Sequence, residues 1–301
     1  MNHFAVLMGG WSAEREVSLR SGVACAEALK DSEFKVTVVD VGHDIAAKLA
    51  GLRPDAALNM LHGPYGEDGC VQGLLEILEI PYTHSGVLAS ALAMNKARAR
   101  DIFQRADIPV AEGKTLSRFD AGRIHAMKAP YVVKPIANGS SVGVFVVREN
   151  DAPPQELLAS DWELGDTVLV EHYVAGKELT CAVMGDKVLD VIEITSELPF
   201  YNYKAKYAPG GSRHILPAPI PADVYKKVQS LSLAAHQALG CRGVSRSDFR
   251  FDDATGELVC LEVNTQPGMT PTSLVPELAA HTGLTFTQLV EWMIEDASLT
   301  R

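Results

Sequence analysis

The sequence predicts an α/β fold, and three observations carry that expectation. Short apolar strands alternate with helical segments through the first ninety or so residues, an order that builds a parallel sheet. Further along, apolar strands come in pairs joined by tight polar turns, which gives antiparallel hairpins. Hydrophobic residues make up 47% of the 301, enough to bury the cores of two or three domains.

Phe4–Met8, Lys35–Val41, Ala56–Leu61 and Pro81–Thr83 read as the N-terminal strands. A helix follows Ser12, and Val71, Leu74, Leu75 and Leu78 fall at the spacing of an amphipathic helix stripe. Sheets of this kind bind ligands beyond the carboxyl ends of their strands. Two such ends carry chemistry. Gly9-Gly10-Trp11-Ser12-Ala13-Glu14 lacks the full G-x-G-x-x-G spacing of a dinucleotide loop. Glu14 there is suited either to hold an ammonium group or to serve as a first-turn helix acid. The second end, Leu61-His62-Gly63-Pro64-Tyr65-Gly66-Glu67-Asp68-Gly69, is a tight glycine loop. His62 is either a site residue or part of that turn.

After Ser85-Gly86 helices are expected over Ala89–Met94 and Lys96–Arg105, and Ile108-Pro109 opens a new unit. Strands Tyr131–Pro135 and Ser141–Val147 enclose a small polar loop around Gly139-Ser140. Its N–H groups and hydroxyls can fold over phosphates within reach of Lys134, or merely turn the chain. The strand from Val168 to Glu171 meets a polar turn that carries Glu178. A strand edge here can offer backbone groups to a base ring and an acid to ribose hydroxyls; solvated acids in a connection are the alternative. Leu179–Met184 and Lys187–Ile194 form a hairpin around Gly185-Asp186.

Glu197–Pro219 has neither helical nor strand period, yet holds Tyr201, Tyr203, Lys204, Lys206 and Tyr207. A structureless stretch of that length is expected to be functional, here a lid that excludes water, rather than a surface excursion. Pro221 at a first helical position opens a helix to Leu239, with Val224, Val228, Leu231 and Ala235 on one face. Next comes a hairpin of Val244–Phe251 and Val259–Asn264 about the turn Asp252–Gly256. Side chains two apart share a strand face. A turn centred near Thr255 therefore sets Asp248 opposite Glu262 and Arg246 opposite Asn264. Two carboxylates, an amide and a guanidinium on one patch suit a hard divalent cation carrying phosphate oxygens; a solvated hairpin face is the alternative. Two amphipathic helices are expected between Thr270 and Ser298, the first starting near Ser273.

The net charge of -11 is spread along the chain with no Lys/Arg-rich run, so neither nucleic acid nor an anionic membrane is expected as a partner. The five cysteines form no C-x-x-C pair and read as reduced packing residues. Met1–Met8 is too short for a signal peptide, and no apolar run approaches the roughly 18 residues of a membrane span. A soluble, cytoplasmic protein is the expectation.

Taken together, these segments resemble the D-alanine–D-alanine ligase family of the ATP-grasp superfamily across essentially the whole chain. The resemblance is carried by Met8-Gly9-Gly10, Ser12–Ser18, Leu61-His62-Gly63, Gly66–Gly69, Met94-Asn95-Lys96, Val133-Lys134-Pro135 and Gly139–Gly143. It continues through Tyr203–Tyr207, Arg246-Ser247-Asp248, Leu261–Thr270 and Ser273–Pro276. It implies a parallel-sheet, Rossmann-like substrate-binding unit at 1–90. The two α+β subdomains of an ATP-grasp fold would follow, at 91–177 with the phosphate loop and at 178–301 with the lid and metal site. It implies ATP-dependent joining of two D-alanines through a D-alanyl phosphate, for peptidoglycan precursor synthesis, in a homodimer.

By the same resemblance Asp248, Glu262 and Asn264 match the ligands of two Mg2+ ions, for which Mn2+ can substitute. Lys96 and Lys134 match the phosphate-binding lysines. Glu171 and Glu178 match the acids near adenine and ribose, with Tyr173 and Val174 in the adenine-binding turn. Glu14 matches the residue that holds the first D-alanine's ammonium and forms a hydrogen-bonded triad with Ser140 and Tyr207. His62 lies by the first substrate, and Lys206 matches a substrate-binding lysine of the lid. Arg246 and the Gly268 amide match the oxyanion pair, while Ser273 and Leu274 match the second substrate's carboxylate site. Departures are small: Ser245 stands where many members have glycine, Asn138 where an acid is common, and Gln266 at a variable place.

A D-alanine–D-lactate ligase is the nearest alternative, which Tyr207 disfavours because those enzymes replace the lid tyrosine. A regulator that has lost catalysis should lack a metal ligand or the oxyanion arginine, and this chain has both. A nicotinamide enzyme would leave Asp248, Glu262 and Asn264 without a role.

Overall fold

The computed structural model describes residues 3–139, 142–195 and 212–300. Strands β1 (His3–Gly9), β2 (Lys35–Val41) and β3 (Ala56–Asn59) form a parallel sheet in the order β2-β1-β3. Helices α1 (Arg15–Ala28) and α2 (Ile45–Leu52) make the crossovers, and α3 (Cys70–Ile77) follows β3. Ala5, Leu7, Leu49, Ala57 and Leu75 are buried together on one side of this sheet. On its other side Phe4, Val6, Leu58 and Met60 share a core with Met184, Val244, Met269 and Leu278. The N-terminal sheet is thus packed directly against the C-terminal part of the chain.

Helices α4 (Val87–Met94) and α5 (Lys96–Arg105) lead to a four-stranded antiparallel sheet, ordered β4-β7-β5-β6. Its strands are β4 (Gly113–Ser117), β5 (Tyr131–Pro135), β6 (Phe145–Val147) and β7 (Thr167–His172), with the short α6 (Arg118–Ala121) after β4. A five-stranded antiparallel sheet follows, ordered β10-β9-β8-β11-β12. It comprises β8 (Lys177–Met184), β9 (Lys187–Thr195), β10 (Arg213–Ile215), β11 (Val244–Phe251) and β12 (Leu258–Asn264). Helix α7 (Ala222–Ala238) covers one face, and α8 (Leu274–His281) and α9 (Phe286–Asp296) close the chain. Ala93 and Phe103 of α4 and α5 are buried with Leu179, Phe249, Cys260 and Val263 of this last sheet.

The β11–β12 pairing has the register that alternation predicts, Arg246 opposite Asn264 and Asp248 opposite Glu262. Beyond Asp248 the ladder shifts, Phe249 pairing with Cys260, so that Leu261 is the extra residue of a β-bulge.

Several expected boundaries are corrected. The strand foreseen over Ala56–Leu61 ends at Asn59, and Pro81–Thr83 contributes only isolated bridges through Tyr82. The strand foreseen from Ser141 begins at Phe145, since residues 142 and 143 turn. Pro221 caps α7 rather than opening it. Within Glu197–Pro219, Arg213–Ile215 is an edge strand on β9, paired from Arg213 with Thr195 to Ile215 with Glu193; residues 196–211 lie outside the described residues. The elements α2, β4 and α6 had no strong period to announce them.

Candidate active site

The hairpin β11–β12 supplies the floor. Arg246 grips Asp248 with both arms, Nε to Oδ1 at 2.9 Å and Nη2 to Oδ2 at 2.8 Å. Thr180 on β8 donates to the same carboxylate at 2.6 Å, and Asn264 Nδ2 donates to it at 3.1 Å. Glu262, across from Asp248, pairs with Lys96 Nζ at 2.8 Å. Lys96 begins α5, whose cap Asn95 accepts from the Arg98 N–H. From there its ammonium also donates to the Asn138 carbonyl at 2.8 Å. This contact is to backbone, so the loop keeps it whatever side chain stands at 138. Burial works against the Lys96 charge, but Glu262, Glu67 and Glu171 outweigh it and raise its pKa.

On the four-stranded sheet Lys134 of β5 pairs with Glu171 of β7, which Arg100 of α5 also binds at 2.6 Å. All three side chains are buried. Tyr173 and Val174 follow in the connection to β8, where the Val174 carbonyl accepts from Arg250 Nε at 3.1 Å. Glu178 lies 3.8 Å from Arg250 Nη1. Three cation–carboxylate pairs are therefore set about one region: Arg246 with Asp248, Lys96 with Glu262, Lys134 with Glu171.

The N-terminal sheet brings its loops to the same place. Glu14 caps α1 at the carboxyl end of β1, and its N–H donates to Ser12 Oγ at 3.2 Å. That hydroxyl donates to the His62 carbonyl at 2.6 Å, tying the two glycine loops together. The Glu14 carboxylate lies against Gly63 and Gly139: a Cβ built on either would come within 2.8 or 3.1 Å of its Oε2. Glycine is required at 63 for that approach and for its φ of +70°. His62 is buried, its ring 3.4 Å from Ser21 Oγ. Burial pushes the imidazole down to about 4; a bond with the Gln266 backbone opposes this and the Arg246 charge adds to it. His62 is thus neutral at pH 7.

After β12 the chain turns through Gln266, Pro267 and Gly268 towards α8. The Gly268 Cα approaches Ser273, so that a Cβ there would stand 3.0 Å from Ser273 Oγ. Ser273 caps α8 and Leu274 is its first helical residue. The Ser273 hydroxyl accepts from the Thr270 N–H at 3.0 Å. A helix N-terminus beside a glycine amide is a favourable place for a carboxylate or an oxyanion. Ser140, Lys206 and Tyr207 lie outside the described residues.

Five residues joined the site without being read from the sequence. Glu67 accepts from the Gly63 N–H at 3.0 Å. Burial pushes its carboxyl up to about 8, with Glu14 and Glu262 acting the same way and Gly63 N–H and Lys96 opposing. Arg100 had a signal: four residues past Lys96, it shares that helix face. Thr180 is a β8 neighbour of Asp248, which only tertiary pairing reveals. Ser21 accepts from the Met269 N–H at 3.2 Å. Gln266 is 2% exposed and bonded to the N-terminal unit through Asn59 and Leu61.

The donor set of Asp248, Glu262 and Asn264 is carboxylate and amide oxygen on one face of the β11–β12 hairpin, which fits a hard divalent cation. So few protein ligands leave most of a coordination shell to phosphate oxygens and water.

Two family models match the chain, "D-ala D-ala ligase C-terminus" over residues 102–295 and "D-ala D-ala ligase N-terminus" over 44–85. A D-alanine–D-alanine ligase from Xanthobacter autotrophicus is 65% identical over 99% of both chains, and one from Methylocella silvestris 64% identical over the same shares. Among solved structures, a D-alanine–D-alanine ligase from Bacillus anthracis superposes with a TM-score of 0.85 at 33% identity, over 98% of this chain and 97% of that one. A complex of the Bacillus anthracis ligase with ATP gives a TM-score of 0.84 at 30% identity, over the same shares. The VanG D-Ala:D-Ser ligase of Enterococcus faecalis gives 0.82 at 30% identity, over 98% of each chain.

Proposed function

Since the chain belongs to the D-alanine–D-alanine ligase family, we propose that it joins two D-alanines at the expense of ATP, giving D-alanyl-D-alanine, ADP and phosphate. The family implies a role in peptidoglycan precursor synthesis. The observation that carries this reading is the meeting of three cation–carboxylate pairs with the Gly268–Ser273 turn and the Glu14–His62 loops.

The chemistry runs in two steps. A carboxylate oxygen of the first D-alanine attacks the γ-phosphorus of ATP, the β,γ-bridging P–O bond breaks, and ADP leaves with that electron pair. The neutral amine of the second D-alanine then attacks the acyl carbon. The tetrahedral oxyanion collapses, phosphate departs, and the nitrogen loses a proton. Little covalent protein chemistry is needed, so positioning and charge stabilisation carry the rate.

Glu14 holds the first substrate's ammonium while neutral His62 borders it. Lys96 and Lys134 hold the phosphates, exchanging contacts with Glu262 and Glu171 for contacts with ATP. Tyr173, Val174, Glu171 and Glu178 take the adenosine. Arg246 and the Gly268 N–H meet the oxyanion, and Ser273 and Leu274 receive the second carboxylate. Ser140, Tyr207 and Lys206 complete the triad and lid. Asp248, Glu262 and Asn264 would hold two Mg2+ or Mn2+ ions. Bound there, the metals neutralise phosphate charge during transfer.

The three sheets support a division of the chain near residues 90 and 177. Among the described residues no helix is long and apolar enough to cross a membrane, and we place the enzyme in the cytoplasm as a homodimer. Phosphate release with ATP and Mg2+ tests the reading: D-alanine should drive it, and L-alanine or D-lactate should not. Release independent of D-alanine would overturn it.

A further inference from the structure

We propose that Gln266 is a positioning residue for this reaction, a latch that fixes the oxyanion turn against the loop bordering the first substrate. The two halves of the site lie far apart in the chain. His62 follows β3 in the N-terminal sheet, while Gly268 and Ser273 follow β12 in the C-terminal one. The acyl carbon must sit between them, so their separation has to be held to a fraction of an ångström.

The side chain of Gln266 spans that junction. Its Oε1 accepts from Asn59 Nδ2 at 2.7 Å, and its Nε2 donates to the Leu61 carbonyl. With Asn59 and Gln266 both at 2% exposure or less, water does not replace these bonds, and each buried polar atom needs its partner. The N-terminal side of the latch is itself braced. Asn59 Oδ1 accepts from the Leu61 N–H at 3.2 Å, and Asn59 Nδ2 also donates to the Gly66 carbonyl at 3.1 Å. Gln72 at the start of α3 donates to the same Gly66 carbonyl at 2.9 Å. Three residues further along the turn, the Met269 N–H donates to Ser21 Oγ of α1, and that hydroxyl faces the His62 ring. Gln266 thus holds the loop to which His62 belongs from one side, and Ser21 holds the turn from the other.

The amide is the group that suits this place. One end must accept and the other donate, in a site where a charge would be buried. A carboxylate or an ammonium satisfies only one end, and an apolar side chain neither.

The inference rests on the ligase reading, and the experiment separates the two. Gln266→Met keeps the side-chain length and removes both bonds; Asn59→Ala breaks the same junction from the other side if that variant does not fold. The expected result is a rise of about tenfold in the KM for D-alanine at one or both sites, with the KM for ATP within about twofold of wild type. A purely structural role lowers the fraction of folded enzyme and leaves every KM in place. That outcome would overturn the proposal. Amide exchange of the full chain adds a readout independent of turnover: segments 60–66 and 267–270 should open together in the variant, and unchanged protection would count against the latch. Wild-type protein without D-alanine-dependent phosphate release would overturn the ligase reading instead, leaving the exchange result to decide the latch.

Discussion

Lys96 Nζ lies 2.8 Å from Glu262 Oε2 and, from the same ammonium, donates to the Asn138 carbonyl. One cation therefore joins β12 to the loop expected over the phosphates. Glu262→Gln keeps the shape of that side chain and removes its charge. We expect kcat to fall by about 100-fold or more with unchanged far-ultraviolet circular dichroism. Near-full phosphate release by this variant would end the metal assignment.

Glu171 is held by both Arg100 and Lys134 in the interior. Removing one partner of a buried ion pair costs about 3–5 kcal/mol, because the other charge stays buried without compensation. Glu171→Ala should therefore shift the urea midpoint well down, whereas Arg100→Met, which leaves Lys134 on Glu171, should cost less. Equal losses would contradict this division.

Stability should fall in acid. Burial pushes both His62 and His236 from an ordinary 6.5 to about 4. Between those values the unfolded chain binds more protons than the folded one, so stability rises with pH there. The contribution is complete above about 6.5 and is lost as pH falls through about 4. His236 is buried and bonded to Ser245 Oγ at 2.7 Å; His236→Gln should flatten the slope of unfolding free energy between pH 4.5 and 6.5, as read by urea titration. An unchanged slope would refute the assignment. Glu67 has the opposite sign: its folded value of about 8 lies above the ordinary 4.5, so it erodes stability as pH rises across that window. Glu67→Gln should accordingly gain on the parent at pH 8 relative to pH 5.

Gly66 has no room for a side chain. A Cβ there would stand 2.6 Å from Leu61 Cβ and 3.0 Å from the His62 nitrogen. Gly66→Ala should cost about 1–3 kcal/mol through overpacking and, by displacing the His62 loop, raise the KM for the first D-alanine. A variant with wild-type kinetics would show that the loop's position is not what binds that substrate.

Local patterning made the hairpin legible. Period-two alternation and a polar turn centred near Thr255 were enough to set Asp248 opposite Glu262. The stripe from Val71 to Leu78 announced α3 in the same way. Contacts between distant segments left no such trace. Glu171 looked like a solvent-facing or ribose-facing acid, and nothing near it in sequence signals Arg100, seventy-one positions away. Gln266 stood at a place that looked free to vary, because the groups that need its amide belong to β3 and its loop. The edge strand Arg213–Ile215 is too short to show a period, and its pairing partner on β9 supplies the order.

The bulge at Leu261 makes face assignment along β12 a local matter. Leu258 and Cys260 go into the core beside Phe249 and Leu179, yet Glu262 and Asn264, at the same parity, pair with the site-facing Asp248 and Arg246. A regular strand would have buried all four together. One supernumerary residue keeps Leu258, Cys260 and Val263 all on the core face, while Glu262 and Asn264 stay opposite Asp248 and Arg246. Anyone redesigning this strand must count core positions at one parity before Leu261 and at the other parity after it.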